Sequence, residues 1–166
     1  MFIGHLPAAY LAFTTSARRL PRPAFAAGMI ASVAPDLDLF LFYFVDHRAV
    51  HHHEYISHRP IVWFALTLLG LALSRSRWGL PLAAFGAGGV IHMALDTIAG
   101  SINWAWPFGT FGGPLVVVPA TRGNWILSFL THWTFLTEIA ICLLAAMVFI
   151  TSRRRRQADQ SNRPVI

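Results

Sequence analysis

The sequence has few charged residues, no lysine and a single cysteine. Of its 166 residues, 12% are charged and 55% are apolar, whereas soluble domains carry roughly a quarter of their residues as charged ones. This deficit argues against a disordered chain and against a water-soluble domain. The single cysteine, Cys142, lies in an apolar run, which excludes both an intramolecular disulfide bond and a thiolate metal site.

The 13 basic residues are all arginines, and they give the chain a formal net charge of +6. Such a balance is compatible with nucleic-acid binding, but the arginines lie in short clusters between apolar runs and not along one amphipathic face. We therefore expect a protein of the lipid bilayer, with no nucleic-acid partner. The mean hydropathy of +0.54 points the same way.

Apolar segments divide the chain into five predicted membrane spans. A spanning helix needs about 20 mostly apolar residues. The predicted fold is an all-α, polytopic membrane helix bundle in one domain over residues 1–152, and residues 153–166 are predicted to be a basic, disordered cytoplasmic tail. The predicted spans are Met1–Ala17, Ala24–Val45, Pro60–Ser74, Gly79–Gly100 and Trp125–Ile150.

Arginine clusters predict how these spans are oriented. With five spans, the clusters at Arg18–Arg22, Arg75–Arg77 and Arg153–Arg156 must all face the same side. The positive-inside rule places that side in the cytoplasm, so the C-terminus is predicted to be cytoplasmic and the N-terminus outside. The first segment has no basic residues before it, which favours a retained span over a cleaved signal peptide. We expect a multi-pass protein of the inner (plasma) membrane.

Ionisable residues are costly at membrane depth and therefore indicate function. In the predicted topology all eight histidines and five of the seven acidic residues fall on the outer side. Asp36 and Asp38 follow Pro35, which should loosen the helix so that both carboxylates reach one centre. His92 and Asp96 lie four positions apart, on one helix face.

Carboxylate and imidazole ligands without thiolates suit Zn²⁺, with Mn²⁺ or Fe²⁺ as alternatives. Six such ligands are enough for one or two ions. Which of His51, His52 and His53 bind is left open, and His5 and His132 are more typical of hydrogen-bonded packing histidines than of ligands. The predicted metal ligands are Asp36, Asp38, His53, His58, His92 and Asp96.

The ordered set of these motifs resembles the YdjM-like family of inner-membrane proteins. The resemblance covers roughly residues 1–110 and begins with the early His5. It continues with Pro35-Asp36-Leu37-Asp38, His53-Glu54-Tyr55-Ile56-Ser57-His58 and His92-Met93-Ala94-Leu95-Asp96-Thr97, and ends with Gly100 and Trp104-Ala105-Trp106-Pro107. Membership implies an inner-membrane, metal-dependent hydrolase. The chain departs from the family at Glu54 and Arg59, where the family often has Arg and Ser.

The function predicted from these residues is hydrolysis at the outer membrane–water interface, on a lipid-linked phosphoester. Bound metal ions activate water and polarise a phosphoryl oxygen. Glu54 and His132 are the predicted catalytic residues, and Arg48 and Arg59 are candidates for holding a phosphate. Two alternatives stay open: a transporter of a metal ion or proton, and a non-catalytic membrane scaffold.

Overall fold

In the part of the chain that the structure describes, the regular elements are all helices, joined by turns and irregular loops. The computed structural model describes residues 3–16 and 20–161, without the side chain of Asp159. Within these residues no strand forms, which confirms the predicted all-α class. The α-helices are α1 (His5–Thr15), α2 (Arg22–Ala31), α3 (Leu39–Phe44), α4 (Pro60–Ala72), α5 (Gly79–Asp96), α6 (Trp125–Leu130) and α7 (Thr134–Ser161).

Helix α5 is the centre of the bundle. It packs between α2 and α4, while α1 packs mainly against α7. A Cβ atom added at Gly88 would collide with the carbonyl oxygen of Gly28 in α2, and one added at Gly89 would collide with the ring of Trp63 in α4. Small residues allow helix backbones to approach closely in membrane proteins. Both flanks of α5 are therefore held, which fixes the side chains at its C-terminal end.

Among the residues that the structure describes, two or three membrane spans are supported. Helix α5 and residues Thr134–Ala158 of α7 are long and apolar enough to cross a membrane, and α2 with the bent segment after it makes a third if the pair is one span. Helices α1 and α4 have 11 and 13 residues, or roughly 16 and 20 Å, against a hydrocarbon core of about 30 Å. The prediction of five spans is therefore not confirmed, and the orientation of the termini stays a prediction.

The segment predicted as one span from Ala24 to Val45 is broken at its middle. Helix α2 ends at Ala31, and residues Pro35–Asp38 form a 3₁₀ turn before α3. The two halves meet at an angle of 42°. Pro35 has no backbone N–H and its ring clashes with the preceding turn, which interrupts the helix. The loosened turn predicted at the two aspartates is confirmed.

The predicted span Trp125–Ile150 is also interrupted, between α6 and α7. Helix α7 then continues through the arginine run to Ser161. In the structure residues 153–161, predicted as part of a disordered tail, continue this helix, because arginine, glutamine and alanine are good helix formers and a formed helix extends readily. Residues 162–166 lie outside the described residues, and the domain boundary at residue 152 stays a prediction.

The alternation of the helices brings the polar residues to one end of the bundle. Helices α1 and α4 begin at this end, and α2 and α5 finish there. Asp96 contacts both His5 and His58, and His92 contacts Asp36. The turn Arg75–Arg77 lies before α5, whose 18 residues separate it from this end by about 27 Å.

Candidate metal centre

Four side chains meet at the C-terminal end of α5, and we call them the four-residue cluster: Asp36, His58, His92 and Asp96. Each offers one ligand atom, and these atoms lie within 4.8 Å of one another. The 3₁₀ turn supplies Asp36, the loop before α4 supplies His58, and successive turns of α5 supply the other two. His58 and His92 are fully buried and Asp96 is 2% exposed. Ionisable groups this deeply buried require a counter-charge or a bound ion.

The ring of His92 is held in one tautomer. Its Nδ1 lies 2.8 Å from the carbonyl oxygen of Ser32, which can only accept, so Nδ1 carries a hydrogen and donates it. In the neutral ring Nε2 then holds a lone pair, which faces Asp96 Oδ2 at 3.0 Å and Asp36 Oδ1 at 3.6 Å. A lone pair directed at two carboxylate oxygens is repelled unless a proton or a metal ion lies between them.

Asp38 orients His58 in a similar way. Asp38 Oδ2 lies 2.6 Å from His58 Nδ1 and also accepts a hydrogen bond from the Ser57 hydroxyl. The Nε2 atom of His58 lies 3.6 Å from Asp96 Oδ2. Carboxylates commonly hold metal-ligating histidines through the second ring nitrogen. The structure thus places Asp38, a predicted ligand, outside the four-residue cluster and in a second group with His52 and His58.

Burial and the two carboxylates act in opposite directions on His58. Burial lowers its pKa, but the hydrogen bond to Asp38 and the negative charges of Asp38 and Asp96 outweigh this effect and raise the pKa to about 9. Without a metal ion His58 is therefore protonated at neutral pH. A metal ion bound at Nε2 would replace that proton.

The three consecutive histidines of the loop take different positions. His53 Nε2 lies 3.7 Å from Asp96 Oδ2, and burial lowers the pKa of His53 to about 3, so its ring is neutral. His52 Nδ1 lies 3.7 Å from Asp38 Oδ1, and His51 Nδ1 accepts a hydrogen bond from the backbone N–H of His53. Of the three, His53 is the one that faces Asp96.

Packing fixes the loop that carries these histidines. The indole N–H of Trp63 donates to the carbonyl oxygen of Ser57 at 2.7 Å, which ties the loop to α4. Gly100 leaves room for His53, because a Cβ atom at this position would lie 2.5 Å from His53 Cε1. The glycine that follows the His92–Asp96 pair is thus required by the close approach of a histidine.

His5 joins the cluster from the first residue of α1. Its Nε2 lies 3.2 Å from Asp96 Oδ1, and its ring stacks on that of His92 with the centroids 3.8 Å apart. Reasoning from the residues favoured a packing role, and the early histidine of the family pattern was the signal for a place in the site. His5 contacts the cluster both as a packing ring and through Asp96.

Glu138 of α7 holds the start of α1 in place. It is fully buried, and its Oε2 accepts hydrogen bonds from the backbone N–H groups of Ile3 at 2.6 Å and Gly4 at 3.0 Å. Helix N-termini present such N–H groups and attract negative charge. The link from Glu138 to the start of α1 could not be predicted from the sequence, because the two are more than 130 residues apart.

The two predicted catalytic residues lie in different surroundings. Glu54 is exposed and lines the cavities described below. His132 lies between α6 and α7, with its Nδ1 3.0 Å from the Thr134 hydroxyl and its ring against Trp133. It does not line either described cavity, so the structure does not bring His132 to the four-residue cluster.

A cavity of about 660 Å³ opens beside the cluster, and we call it the large cavity. Its volume lies in the range of small-molecule sites. Asp36, Asp96 and the loop His51–Glu54 form a polar side, and apolar side chains from α3, α6 and the segment before α6 form another. These apolar residues are Leu39, Val118, Ala120, Trp125 and Phe129.

A second cavity of about 340 Å³, the small cavity, shares His53, Glu54 and Ser101 with the large one. It contains Arg59, whose guanidinium donates to the carbonyl oxygen of Glu54 at 2.5 Å and lies 5.5 Å from the centre of the Trp106 ring. The other candidate for holding a phosphate, Arg48, lies over Tyr43 and lines neither cavity.

The donor atoms of the four-residue cluster fit a divalent cation. Among the described residues, the buried Nε2 atoms of His58 and His92 have no hydrogen-bond partner. Their distances to carboxylate oxygens of the cluster, 3.0 to 3.6 Å, bracket the separation of about 3.3 Å between ligand atoms of a tetrahedral zinc ion with bonds near 2.0 Å.

Comparison with known proteins assigns the chain to a family. The family model described as YdjM inner membrane protein matches residues 1–158. No curated protein and no solved structure matches the chain. The matched range includes the 3₁₀ turn, the histidine loop and the complete apolar part of α7, and it extends beyond the motifs that carried the resemblance. The chain therefore belongs to the YdjM inner membrane protein family and is a protein of the inner membrane.

Proposed function

We propose that this protein is a membrane-embedded, metal-dependent hydrolase that acts on a lipid-linked phosphoester. The observation that supports it is the convergence of two buried histidine Nε2 atoms on two carboxylates. Both rings are oriented through Nδ1, His92 by Ser32 and His58 by Asp38. The donor set favours Zn²⁺, with Mn²⁺ or Fe²⁺ as alternatives.

One ion is the simplest occupancy of this site. A histidine can bind one ion through one ring nitrogen, and His58 uses Nδ1 for Asp38, which leaves Nε2 for the four-residue cluster. His53 faces the same carboxylate, Asp96, and is the candidate for a further ligand. Asp38 then acts as a positioning residue for His58.

A divalent ion in this position would lower the pKa of a bound water molecule and polarise a phosphoryl oxygen. The residues of the chain supply the rest. Glu54, whose carboxylate borders both cavities, accepts a proton as general base. Arg59 borders the small cavity and retains guanidinium donors for a phosphate oxygen.

The position of the large cavity supports a lipid substrate. The large cavity opens at the end of the apolar helices, and Trp125 and Phe129 line it from α6. Trp125 is 60% exposed, as is common for tryptophan at a membrane–water interface. A substrate with an apolar part can therefore remain in the bilayer while its phosphate reaches the cluster.

Metal content and activity test this proposal together. The purified protein should contain about one equivalent of a divalent metal by elemental analysis, and a panel of phosphoesters should be hydrolysed in a chelator-sensitive way. His92→Ala should remove both properties. His47→Asn, in the exposed part of the loop, is the matched control and should retain both. Metal flux into proteoliposomes without hydrolysis would instead favour a transporter.

A further inference from the structure

The large and small cavities meet at the same point but differ in chemistry. His53, Glu54 and Ser101 line both of them, so the two spaces adjoin next to a histidine that faces Asp96. The large cavity adds several aliphatic and aromatic side chains, whereas the small one adds a guanidinium and a hydroxyl together with two aromatic rings, those of Trp106 and Phe111. A molecule bound at the cluster therefore has two different spaces available to it.

The polar groups of the small cavity differ in whether they are already hydrogen-bonded within the protein. The amide of Asn103 is used within its own loop, since its Oδ1 accepts from the N–H groups of Ala105 and Phe111 and its Nδ2 donates to Gly109. Arg59 has five N–H donors, and the structure shows one of them bonded, to the Glu54 carbonyl oxygen. Arg59 thus leaves donors at the small cavity for oxygen atoms of a ligand.

We propose, on the basis of the function proposed above, that the substrate is a phosphodiester with one apolar and one polar limb. The apolar limb lies in the large cavity, against Val118 and Phe129, and the polar limb lies in the small cavity, against Arg59 and Thr110. A phosphomonoester has a single limb and would leave the part of the small cavity at Thr110 unfilled.

Hydrolysis of such a substrate has a defined balance. The oxygen of water forms a new bond to phosphorus, and one phosphorus–oxygen ester bond breaks. The leaving oxygen takes up a proton, so the products are an alcohol and a phosphomonoester. No oxidant, reductant or further co-reactant is needed, and the proton taken by Glu54 from water can return to the leaving oxygen.

Two lipids with the same diacylglycerol part test this assignment in detergent micelles. Phosphatidylglycerol is a diester with a polar limb, and phosphatidic acid is the corresponding monoester. With the metal-loaded protein, kcat/KM for the diester should be at least tenfold larger. Thr110→Trp, a change at an exposed position that fills the small cavity, should lower kcat/KM at least tenfold for the diester and less than twofold for the monoester.

Further variants separate this inference from the proposed function. Thr151→Trp, an equally exposed position that lines neither cavity, should change neither rate. Val118→Trp, in the large cavity, should lower the rates for both lipids but not for a soluble diester such as bis(p-nitrophenyl) phosphate. A preference for the monoester, or an equal effect of Thr110→Trp on both lipids, would overturn the two-limb substrate alone. Hydrolysis of neither lipid nor any soluble phosphoester would contradict the proposed function and this substrate with it.

Discussion

Helices α5 and α7 are both long and apolar, yet they differ in how much of each is covered. Half of the spanning window of α5 is buried inside the protein, compared with 17% of that of α7. The ionisable residues in the apolar part of each helix lie where other parts of the protein cover that helix. His92 and Asp96 lie where α2, α1 and the histidine loop surround α5, and the carboxylate of Glu138 lies where the start of α1 covers α7.

This comparison shows how an apolar chain can hold ionisable groups. An uncompensated charge facing lipid is costly, so such groups lie where protein supplies a partner or where a bound ion can lie. At the covered end of α5, side chains from several elements contact His92 and Asp96, whereas Glu138 of α7 binds backbone N–H groups at the start of α1. We therefore expect changes in α5 and its partners to have large effects and changes in α7 to have small ones.

The largest effect is expected at Asp96, which faces His5, His53, His58 and His92. Asp96→Asn keeps the shape but removes the charge that a cation needs. Metal affinity, measured by competition with a chelator, should fall by more than about 100-fold, because loss of a ligand should exceed the 10–100-fold typical of a supporting partner. Asp46→Asn is the control, because it makes the same change at a loop residue outside the four-residue cluster. Unchanged affinity in Asp96→Asn would mean that the ion binds elsewhere.

Asp38 should show the smaller effect of an orienting carboxylate. Asp38→Ala releases the Nδ1 side of His58 but leaves the four-residue cluster complete. Affinity for Co²⁺, measured from its visible absorption, should fall about 10–100-fold, while saturation still occurs at one equivalent. If Asp38→Ala lost the Co²⁺ spectrum as fully as Asp96→Asn, Asp38 would be a ligand and not a positioning residue.

The sequence predicted the site better than it predicted the spans. Spacing placed His92 and Asp96 on one helix face, Pro35 predicted the loosened turn, and the assignment of polar residues to one side brought Asp36 and His58 to the same end. The distinction between Asp36 and Asp38 could not be predicted. It depends on the bend of 42° and on the position of His58, which are properties of the packed chain.

Length and hydropathy were weaker guides to the fold. The segments of α1 and α4 are apolar, but their helices have only 11 and 13 residues, which is shorter than the roughly 20 residues of a full span. Similarly, His132 shares residue type and predicted depth with true cluster members. His132 instead lies in the break between α6 and α7, where its Nδ1 is close to the Thr134 hydroxyl.

A substitution in the tightly packed part of α5 should affect stability rather than chemistry. Gly89→Ala places a methyl group against Trp63 and should destabilise the protein by about 1–3 kcal/mol, as overpacking does. Thermal unfolding in detergent measures it. Leu143→Ala on α7, where the side chain is 66% exposed, should change stability by less than about 0.5 kcal/mol. If both substitutions changed the stability equally, α5 and α7 would not differ in how tightly they are packed.

The smallest effect on metal binding is expected at Glu138, which reaches the cluster only through α1. Glu138→Gln keeps one oxygen acceptor for the N–H groups of Ile3 and Gly4 but loses the charge, and hydrogen bonds to neutral groups are weaker by about 1 kcal/mol. The start of α1 should loosen, and metal affinity should fall less than tenfold.

A double-mutant cycle tests whether this effect passes through His5. In a His5→Ala background, Glu138→Gln should no longer change the affinity, because the residue that Glu138 positions is absent, whereas independent effects would add. Leu143→Ala, at a position of α7 that is 66% exposed, is the control. Additivity in the cycle would show that Glu138 stabilises the bundle without positioning His5, and α7 would then contribute to the fold but not to the metal centre.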